Sequence, residues 1–226
     1  MWTEFQKVIS LLIGGDDELR QIVFLTLKMS LFSTLISTGL GVMASLLLAI
    51  APVNRGKKYF CRFINTLMGI PPVVAGLIVF IMLSRSGPFG QFGLLYTLEA
   101  MVIAQVILIT PIVIGLSNPI FEKKYDDIKE TVVGLNISRS RQLFLLLHEC
   151  KKPLAGIILS AFGRSIAEVG AVQLVGGNVQ YKTRVMTTAI MLETNRGNFC
   201  FAVSLGIVLL LCSLIINLLA GMISEK

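Results

Sequence analysis

Arg164 and Glu168 are ionisable residues inside an otherwise apolar stretch of the sequence. They lie four positions apart, a spacing that places both side chains on one face of a helix and lets them pair. Ionisable side chains within a membrane-spanning helix are costly, and they usually face the protein interior or a water-filled cavity. The pair therefore has two interpretations, a structural ion pair and a functional gate, of which the structural pair is the commoner in proteins.

Motifs for catalysis or metal binding are absent from the sequence. No GxxxxGK[ST] loop is present to bind ATP, and no GxSxG elbow is present to hold a nucleophile. His148 is the only histidine, so an HExxH zinc site cannot form, and the four cysteines make no CxxC pair. The sequence predicts a protein that is not an enzyme and that holds no metal or cofactor of its own.

Prolines and glycines interrupt two of the apolar stretches. Pro71 and Pro72 lie within the segment Gly69–Gly76, and Pro111 falls inside the next apolar stretch. A proline within a membrane helix leaves a backbone carbonyl unpaired, which is tolerated where protein or a water-filled path lies alongside. A simple kink is the commoner outcome, but breaks in two consecutive spans favour a transport pathway.

Apolar stretches long enough to cross a bilayer dominate the rest of the chain. Of the 226 residues 54% are hydrophobic and 15% are charged, and the mean hydropathy is +0.80, so lipid must cover part of the surface. An amphipathic interfacial helix is predicted within residues 1–18, and a short helix within 178–197. Residues 19–226 are predicted to form an all-α, polytopic membrane domain. Its five predicted spans are 22–51, 62–83, 94–121, 154–177 and 198–223.

Lysine and arginine are concentrated in the loops after the first and third spans. The larger of these loops, residues 122–153, carries seven of them. The positive-inside rule places both loops in the cytoplasm, with the N-terminus outside and the C-terminus inside. The net charge of +7 is therefore interpreted as an indicator of membrane topology rather than as a nucleic-acid-binding surface. No nucleic-acid partner is predicted.

A stripe of small residues repeats at every fourth position of the first span, from Ser33 through Ser37, Gly41 and Ser45 to Ala49. Small residues let helix backbones approach closely in a membrane. Packing within the chain and contact with another subunit are equal alternatives for this stripe.

The cytoplasmic stretch 126–150 contains an apolar pattern among its charges. Ile128, Val132 and Leu135 recur at helical spacing, which predicts one apolar face at the membrane surface. The stretch is interpreted either as a solvated connector or as a docking surface for a partner protein.

A basic group is predicted at the outer mouth of the protein. Lys182, Arg184 and Arg196 lie between the fourth and fifth spans. Such cations can attract an anion to a pathway, and scattered interfacial charge is an equal alternative.

The order of the spans and the cytoplasmic loop are similar to those of the permease subunits of type I ABC importers. In that family a five-helix core carries a cytoplasmic EAA loop, between its third and fourth helices, that docks on a separate ATPase. Residues 127–134, DIKETVVG, resemble this loop, with Gly134 at the family's glycine. The family's usual glutamate position holds Ile128, and Glu130 is shifted by two. The resemblance implies that Ile128, Glu130, Gly134 and Leu135 couple to the ATPase.

The segment 163–178, GRSIAEVGAVQLVGGN, resembles the oxyanion branch of this family, which includes molybdate, tungstate and sulfate permeases. Residues 183–199, TRVMTTAIMLETNRGNF, are most similar to tungstate permeases, and residues 69–76 resemble the family's proline-rich element. The resemblance implies a translocation pathway or gate formed by eight residues. These are Pro71, Pro72, Arg164, Glu168, Gly170, Gly176, Gly177 and Asn178.

The resemblance also implies the partners and the location. Two copies of this chain would form a pathway in the cell (plasma or inner) membrane. Two ATPase subunits carrying ATP and Mg²⁺ would bind at residues 126–150. An external binding protein would deliver tungstate. Molybdate and sulfate are alternative substrates. Two rival functions stay open, a proton-coupled secondary anion carrier that uses Arg164 and Glu168 as a relay, and a membrane scaffold.

Overall fold

The computed structural model describes residues 16–224, and these residues form nine α-helices and one 3-10 turn. No β-strand occurs among these residues, which confirms the predicted all-α class. Residues 2–13, where the interfacial helix is predicted, lie outside that range. The helices are α1 Asp17–Ile50, α2 Arg55–Met68, α3 Pro72–Leu83, α4 Leu98–Gly134, α5 Arg139–Glu149, α6 Lys151–Ile166, α7 Gly170–Gly176, α8 Met186–Asn195 and α9 Phe199–Ser224, with the 3-10 turn at Gly90–Phe92.

Acidic residues set where the first long helix begins. The Asp16 carboxylate accepts a hydrogen bond from the Leu19 N–H at 3.0 Å, and Asp17 and Glu18 place negative charge in the first turn. Both features stabilise a helix N-terminus, through its unpaired N–H groups and its dipole. Helix α1 therefore begins at Asp17 rather than at residue 22.

Three helices, α1, α4 and α9, are each long and apolar enough to cross a bilayer. Two bent pairs supply the other crossings, since α2 and α3 meet at 99° and α6 and α7 meet at 55°. With each pair counted as one span, the chain has the five spanning segments predicted. Neither of the predicted spans 62–83 and 154–177 is a continuous helix. The break in the first span is the one that its prolines predict, whereas the break in the second was not predicted. The breaks lie at residues 69–71 and 167–169.

Pro111 does not interrupt α4, contrary to the prediction from the sequence. The helix continues from Leu98 to Gly134 with Pro111 and Pro119 inside it. A proline removes one backbone hydrogen bond from a helix, but neighbouring helices in a membrane can support the gap. Here α1 packs along α4 and Pro111 is buried, so α4 stays helical.

The stripe of small residues on α1 packs against α4 within the same chain. All five members, from Ser33 to Ala49, are buried. A Cβ added at Gly41 would lie 2.7 Å from the Val113 side chain, and the Ser117 hydroxyl donates to the Ser45 hydroxyl at 2.7 Å. The stripe is therefore a packing surface between two helices of one chain.

The two half-helices that follow the breaks, α3 and α7, pack against each other. A Cβ added at Gly76 would lie 2.6 Å from the Cα of Ala171, and one added at Gly170 would lie 2.7 Å from Cγ2 of Val73. Such distances are shorter than real Cβ contacts, so glycine permits the close approach at both positions. The two breaks therefore lie side by side, and the half-helices form one packed unit.

Helix α4 extends beyond its spanning part into the predicted cytoplasmic loop. It has 37 residues, whereas about 20 suffice to cross a bilayer. The Lys124 ammonium lies 2.9 Å from the Glu149 carboxylate and fastens α5 to this extension. Their hydrogen bond raises the pKa of Lys124 and lowers the pKa of Glu149, while burial raises the pKa of the Cys150 thiol. The predicted loop 122–153 is thus a fixed pair of helices over most of its length.

Apolar side chains remain exposed along the spanning helices. Phe24 and Leu35 on α1 and Leu210 and Leu218 on α9 are each more than half exposed. Exposure of so much apolar surface to water is unfavourable, and lipid or another membrane chain covers it. The described residues therefore have the surface of a multi-pass membrane protein.

Candidate translocation site

Glu168 lies at the break between α6 and α7 and satisfies the backbone there. Its side chain is 6% exposed, and one carboxylate oxygen accepts hydrogen bonds from the N–H groups of Val169 at 3.1 Å and Ala171 at 3.3 Å. The Glu168 carbonyl accepts a hydrogen bond from the Thr187 hydroxyl at 2.8 Å. A broken helix in lipid needs such partners, because no water is present to supply them. Glu168 therefore stabilises the break itself.

Arg164 pairs with Glu168, as the spacing of the two residues predicts. Arg164 Nη2 lies 3.5 Å from the second carboxylate oxygen of Glu168. The arginine side chain is 47% exposed, whereas the acid is buried. A guanidinium has five N–H donors, and this one has no other acidic partner among residues 16–224. Arg164 can therefore present donors to an anion while Glu168 stays at the break.

Gln105 on α4 bridges α1 and α6 beside this break. Its amide donates to the Ser165 carbonyl at 2.9 Å, and its amide oxygen accepts from the Ser165 hydroxyl at 2.7 Å and from the Ser33 hydroxyl. All three residues are fully buried. Hydrogen bonds are strong in a low-dielectric interior, and a fully paired network is rigid. These side chains close the centre of the bundle next to Arg164.

The first break contains Gly69 and the two prolines. The Gly69 N–H donates to the Thr66 carbonyl at 3.1 Å at the end of α2, and Pro72 is the first residue of α3. Proline suits this position because its ring fixes φ and a first-turn N–H would be unpaired anyway. The Pro71 carbonyl accepts from the Val74 N–H at 2.9 Å and starts the new helix. The predicted break is thus confirmed, and the prolines set where α3 begins.

Gly176, Gly177 and Asn178 end α7 in a turn, as predicted. Gly177 and Asn178 have positive φ values of 66° and 52°, which glycine and asparagine tolerate best. The Tyr96 ring covers Gly177, where an added Cβ would lie 2.5 Å away. The Asn178 side chain exchanges two hydrogen bonds with Thr188 on α8. The contacts of Gly177 and Asn178 are those of a structural turn that positions α8.

The three residues of the predicted outer basic group lie in different environments. Arg184 is 7% exposed, and its Nη1 lies 2.9 Å from a Glu18 carboxylate oxygen. Arg196 pairs with Glu193 at 3.1 Å. Lys182 is exposed and makes no ion pair with any residue from 16 to 224. The prediction is corrected for Arg184, which is buried because it ties the segment after α7 to the start of α1.

The predicted coupling residues divide into inward-facing and exposed ones. Val132 is 2% exposed, and Ile128 packs against a buried cluster that includes Leu146 of α5. The single apolar face predicted for Ile128, Val132 and Leu135 is therefore wrong, because the first two pack inward whereas Leu135 is exposed. Glu130 and Leu135 are exposed, and so is Gly134, where an added Cβ would meet nothing within 4 Å.

Several residues of the site were missed in the sequence. Gln105 is a polar residue within an apolar span, and a polar side chain in such a place indicates a buried hydrogen-bonding role. Val133, next to Gly134, and Phe144 on α5 are 69% and 72% exposed, although each resembles an ordinary core residue in sequence. Thr187 meets Glu168 only through the fold, and no local pattern indicates this contact.

The described residues form a membrane domain with two broken apolar segments and a helical extension of α4. The family model described as "Binding-protein-dependent transport system inner membrane component" matches residues 19–226. The chain belongs to this family. It is an ABC importer permease subunit, a transport component rather than an enzyme, as the sequence predicts.

Three relatives are named as permeases. The tungstate uptake system permease protein TupB of Peptoclostridium acidaminophilum is 34% identical over 222 residues, which are 98% of this chain and 97% of that protein. TupB of Campylobacter jejuni is 36% identical over 161 residues, 71% of this chain and 67% of that protein. A probable anion ABC transporter permease protein of Haloferax volcanii is 34% identical over 220 residues, 94% of each chain.

A solved structure shares the fold. A bacterial ABC transporter that imports the acidic polysaccharide alginate contains a chain with a TM-score of 0.79 and 17% identity. The match covers 98% of this chain and 83% of that chain. At this level of identity the likeness establishes the architecture alone, and it agrees with the five-span permease core predicted from the sequence.

Replacing Glu168 by alanine is expected to lower the thermal midpoint of the purified protein by roughly 3–10 °C. The change leaves the N–H groups of Val169 and Ala171 without an acceptor in a buried place. Glu168→Gln is expected to restore most of the loss, because its amide oxygen can accept both hydrogen bonds. Thermal unfolding in detergent measures both variants.

Arg164→Ala is the matched control, since it removes the ion pair but leaves the backbone bonds of Glu168. Its expected cost is smaller than that of Glu168→Ala, because the arginine is half-exposed and the Glu168 carboxylate keeps its two backbone donors. Equal losses of stability for Arg164→Ala and Glu168→Ala would show that the ion pair, rather than the backbone contact, stabilises the break.

Proposed function

We propose that this chain is the permease subunit of an ATP-driven importer of an oxyanion, and that the oxyanion is tungstate. The observation that carries the proposal is the cytoplasmic segment built from the end of α4 and α5. This segment presents exposed apolar residues on a frame fastened to the membrane bundle, which suits a subunit moved by a partner. The family match and the two TupB relatives support the assignment.

The coupling surface, defined here as Val133, Gly134, Leu135 and Phe144, is the proposed contact for the ATPase. Its three apolar side chains are 69%, 69% and 72% exposed. His148 stacks on Phe144 with ring centroids 6.5 Å apart. Exposed apolar groups that lie together on a helical frame mark protein contacts. ATP and Mg²⁺ belong to that partner, since no P-loop motif occurs in this sequence.

Helix α4 connects the coupling surface to the translocation site. It is continuous from Leu98 to Gly134 and carries Gln105 near its other end. At about 1.5 Å per residue, Gln105 and Gly134 lie roughly 43 Å apart along one rigid element. Closure of the partner ATPases on ATP would pull the coupling surfaces together, and hydrolysis would release them. The resulting motion is alternating access by rigid-body movement.

A homodimer is the proposed functional unit, with the pathway between two copies. Gln105, Ser33 and Ser165 fill the centre of the single bundle, while Arg164 is half-exposed on its outer side. Val73 and Leu77 of α3 are also about half exposed, so a second copy has apolar surface to cover. Five spanning segments are few to enclose a path and still separate it from lipid. In the dimer, one Arg164 from each copy would face the pathway.

Arg164 is the residue of the site best suited to contact a passing oxyanion. Oxygens of a dianion accept strong, charge-assisted hydrogen bonds from a guanidinium. Glu168 limits this attraction, because its carboxylate already lies 3.5 Å from Arg164. Weak, transient contact suits a pathway, since an ion that binds tightly does not leave.

The substrate and its delivery are inferred from the relatives. Two of them are named tungstate uptake permeases, whereas more distant ones, at 23–27% identity, are named sulfate transport permeases. A similar solved transporter is in complex with an alginate pentasaccharide-bound periplasmic protein, with a TM-score of 0.77. An external binding protein is therefore proposed to deliver tungstate, with molybdate and sulfate as alternatives of similar charge.

Replacing Gly134 by tryptophan is expected to reduce the amount of ATPase recovered with this subunit about tenfold or more. The bulky ring would occupy the centre of the coupling surface. It should fold normally, because an added side chain there meets nothing within 4 Å. A pull-down in detergent, with ATPase quantified per permease, measures the effect.

Gly39→Trp is the matched control, since Gly39 also has nothing within 4 Å of an added Cβ but lies on α1 within the first span. Its ATPase recovery is expected to equal that of the natural sequence. Undiminished recovery with Gly134→Trp, at unchanged thermal stability, would place the ATPase contact elsewhere.

The external binding protein is expected to bind tungstate at least about tenfold more tightly than molybdate or sulfate. Calorimetric titration of the purified binding protein with each anion measures the three dissociation constants. Tightest binding of sulfate or molybdate would overturn the substrate proposal and leave the permease assignment intact.

A further inference from the structure

A cavity of about 580 Å³ opens between the end of α1, the start of α2 and the C-terminal part of α4. One wall is apolar and consists of residues 49–53, where α1 ends. The lining also includes Lys58, Arg62 and Lys129, none of which has an ion-pair partner among residues 16–224. The cavity therefore combines an apolar surface with unpaired positive charge.

The acidic residues of the cavity offset only part of this charge. Glu122 is already paired with Lys57, whose ammonium lies 2.8 Å away and whose side chain is 9% exposed. Asp126 is the other acidic lining residue. Three unpaired cations against this one acid leave two positive charges uncompensated around one cavity. Like charges held in one concave space repel, and a bound anion would remove that cost.

The surroundings of the cavity indicate which anion fits. It lies where α1 ends, on the side that the charge pattern predicts to be cytoplasmic. Val53 at its rim and Tyr59 and Phe63 on α2 are 76%, 67% and 58% exposed. Aromatic and apolar residues beside basic ones are typical of the membrane–water interface. A small free oxyanion would gain nothing from this apolar surface, whereas a lipid contacts both parts.

We propose that this cavity binds the headgroup of an anionic phospholipid from the cytoplasmic leaflet. The phosphate lies among Lys58, Arg62 and Lys129, and the start of the acyl chains lies against the apolar end of α1. Lys129 is on α4, between its spanning part and Gly134. A bound lipid therefore holds the α4 extension against α2 and stabilises the position of the coupling surface. The site is independent of which anion is transported.

The first test uses the purified full chain in a neutral detergent with short-chain lipids as probes. Dioctanoyl phosphatidylglycerol at saturation is expected to raise the thermal midpoint by about 5 °C. Dioctanoyl phosphatidylcholine, inorganic phosphate and tungstate at the same concentration are expected to have little effect. An equal shift with phosphatidylcholine, or a shift with phosphate or tungstate alone, would overturn the proposal.

The second test removes the charge at the cavity. The triple variant K58Q/R62Q/K129Q is expected to bind dioctanoyl phosphatidylglycerol about a hundredfold more weakly. The matched control K123Q/R139Q/R141Q removes the same charge from exposed positions of the same cytoplasmic region that do not line the cavity. Equal weakening in both variants would show attraction by general surface charge and contradict a site.

A milder variant keeps the proposal testable if the triple variant does not fold. Arg62→Gln changes one cavity cation, and native mass spectrometry from vesicles of phosphatidylcholine and phosphatidylglycerol counts the lipids retained. We expect Arg62→Gln to retain fewer phosphatidylglycerol molecules than the control variant Arg139→Gln. The same number in both variants would overturn the proposal.

Discussion

The hydrogen bonding of the Glu168 carboxylate at the break between α6 and α7 is the interaction on which the rest of the site depends. A helix broken within a bilayer exposes backbone groups that lipid cannot satisfy. Glu168 accepts two of these N–H groups, and its own carbonyl accepts the Thr187 hydroxyl. The break can therefore persist, and Arg164 beside it keeps N–H donors that Glu168 does not use.

The second break is stabilised by different chemistry, and the two are joined by packing. Pro72 requires no partner for a missing N–H, so the start of α3 needs no acidic residue. Gly76 and Gly170 then let α3 and α7 approach to backbone contact. The half-helices thus form one unit, while α4 passes unbroken beside them and out to Gly134. A continuous helix beside two helices that are broken suits alternating access, in which rigid parts move relative to each other.

The sequence predicts the architecture well because membrane spans and their breaks have local causes. Hydropathy indicated five spans, the prolines indicated the first break, and the spacing of Arg164 and Glu168 indicated their pair. The second break at 167–169 was not predicted, because it depends on a carboxylate that folds back onto its own backbone. The burial of Arg184 depends on Glu18 at the far end of the sequence. Contacts of that kind have no local pattern, and neither does the burial of Val132.

In the proposed mechanism, a partner's ATP hydrolysis, transmitted through α4, moves an oxyanion past Arg164. The most direct measurement is tungstate uptake into proteoliposomes that contain this subunit, with and without the ATPase and the binding protein. We expect uptake only when both partners and ATP are present, and we expect no response to an imposed proton gradient. Uptake by this chain alone, driven by a proton gradient, would contradict the account and identify a secondary carrier instead.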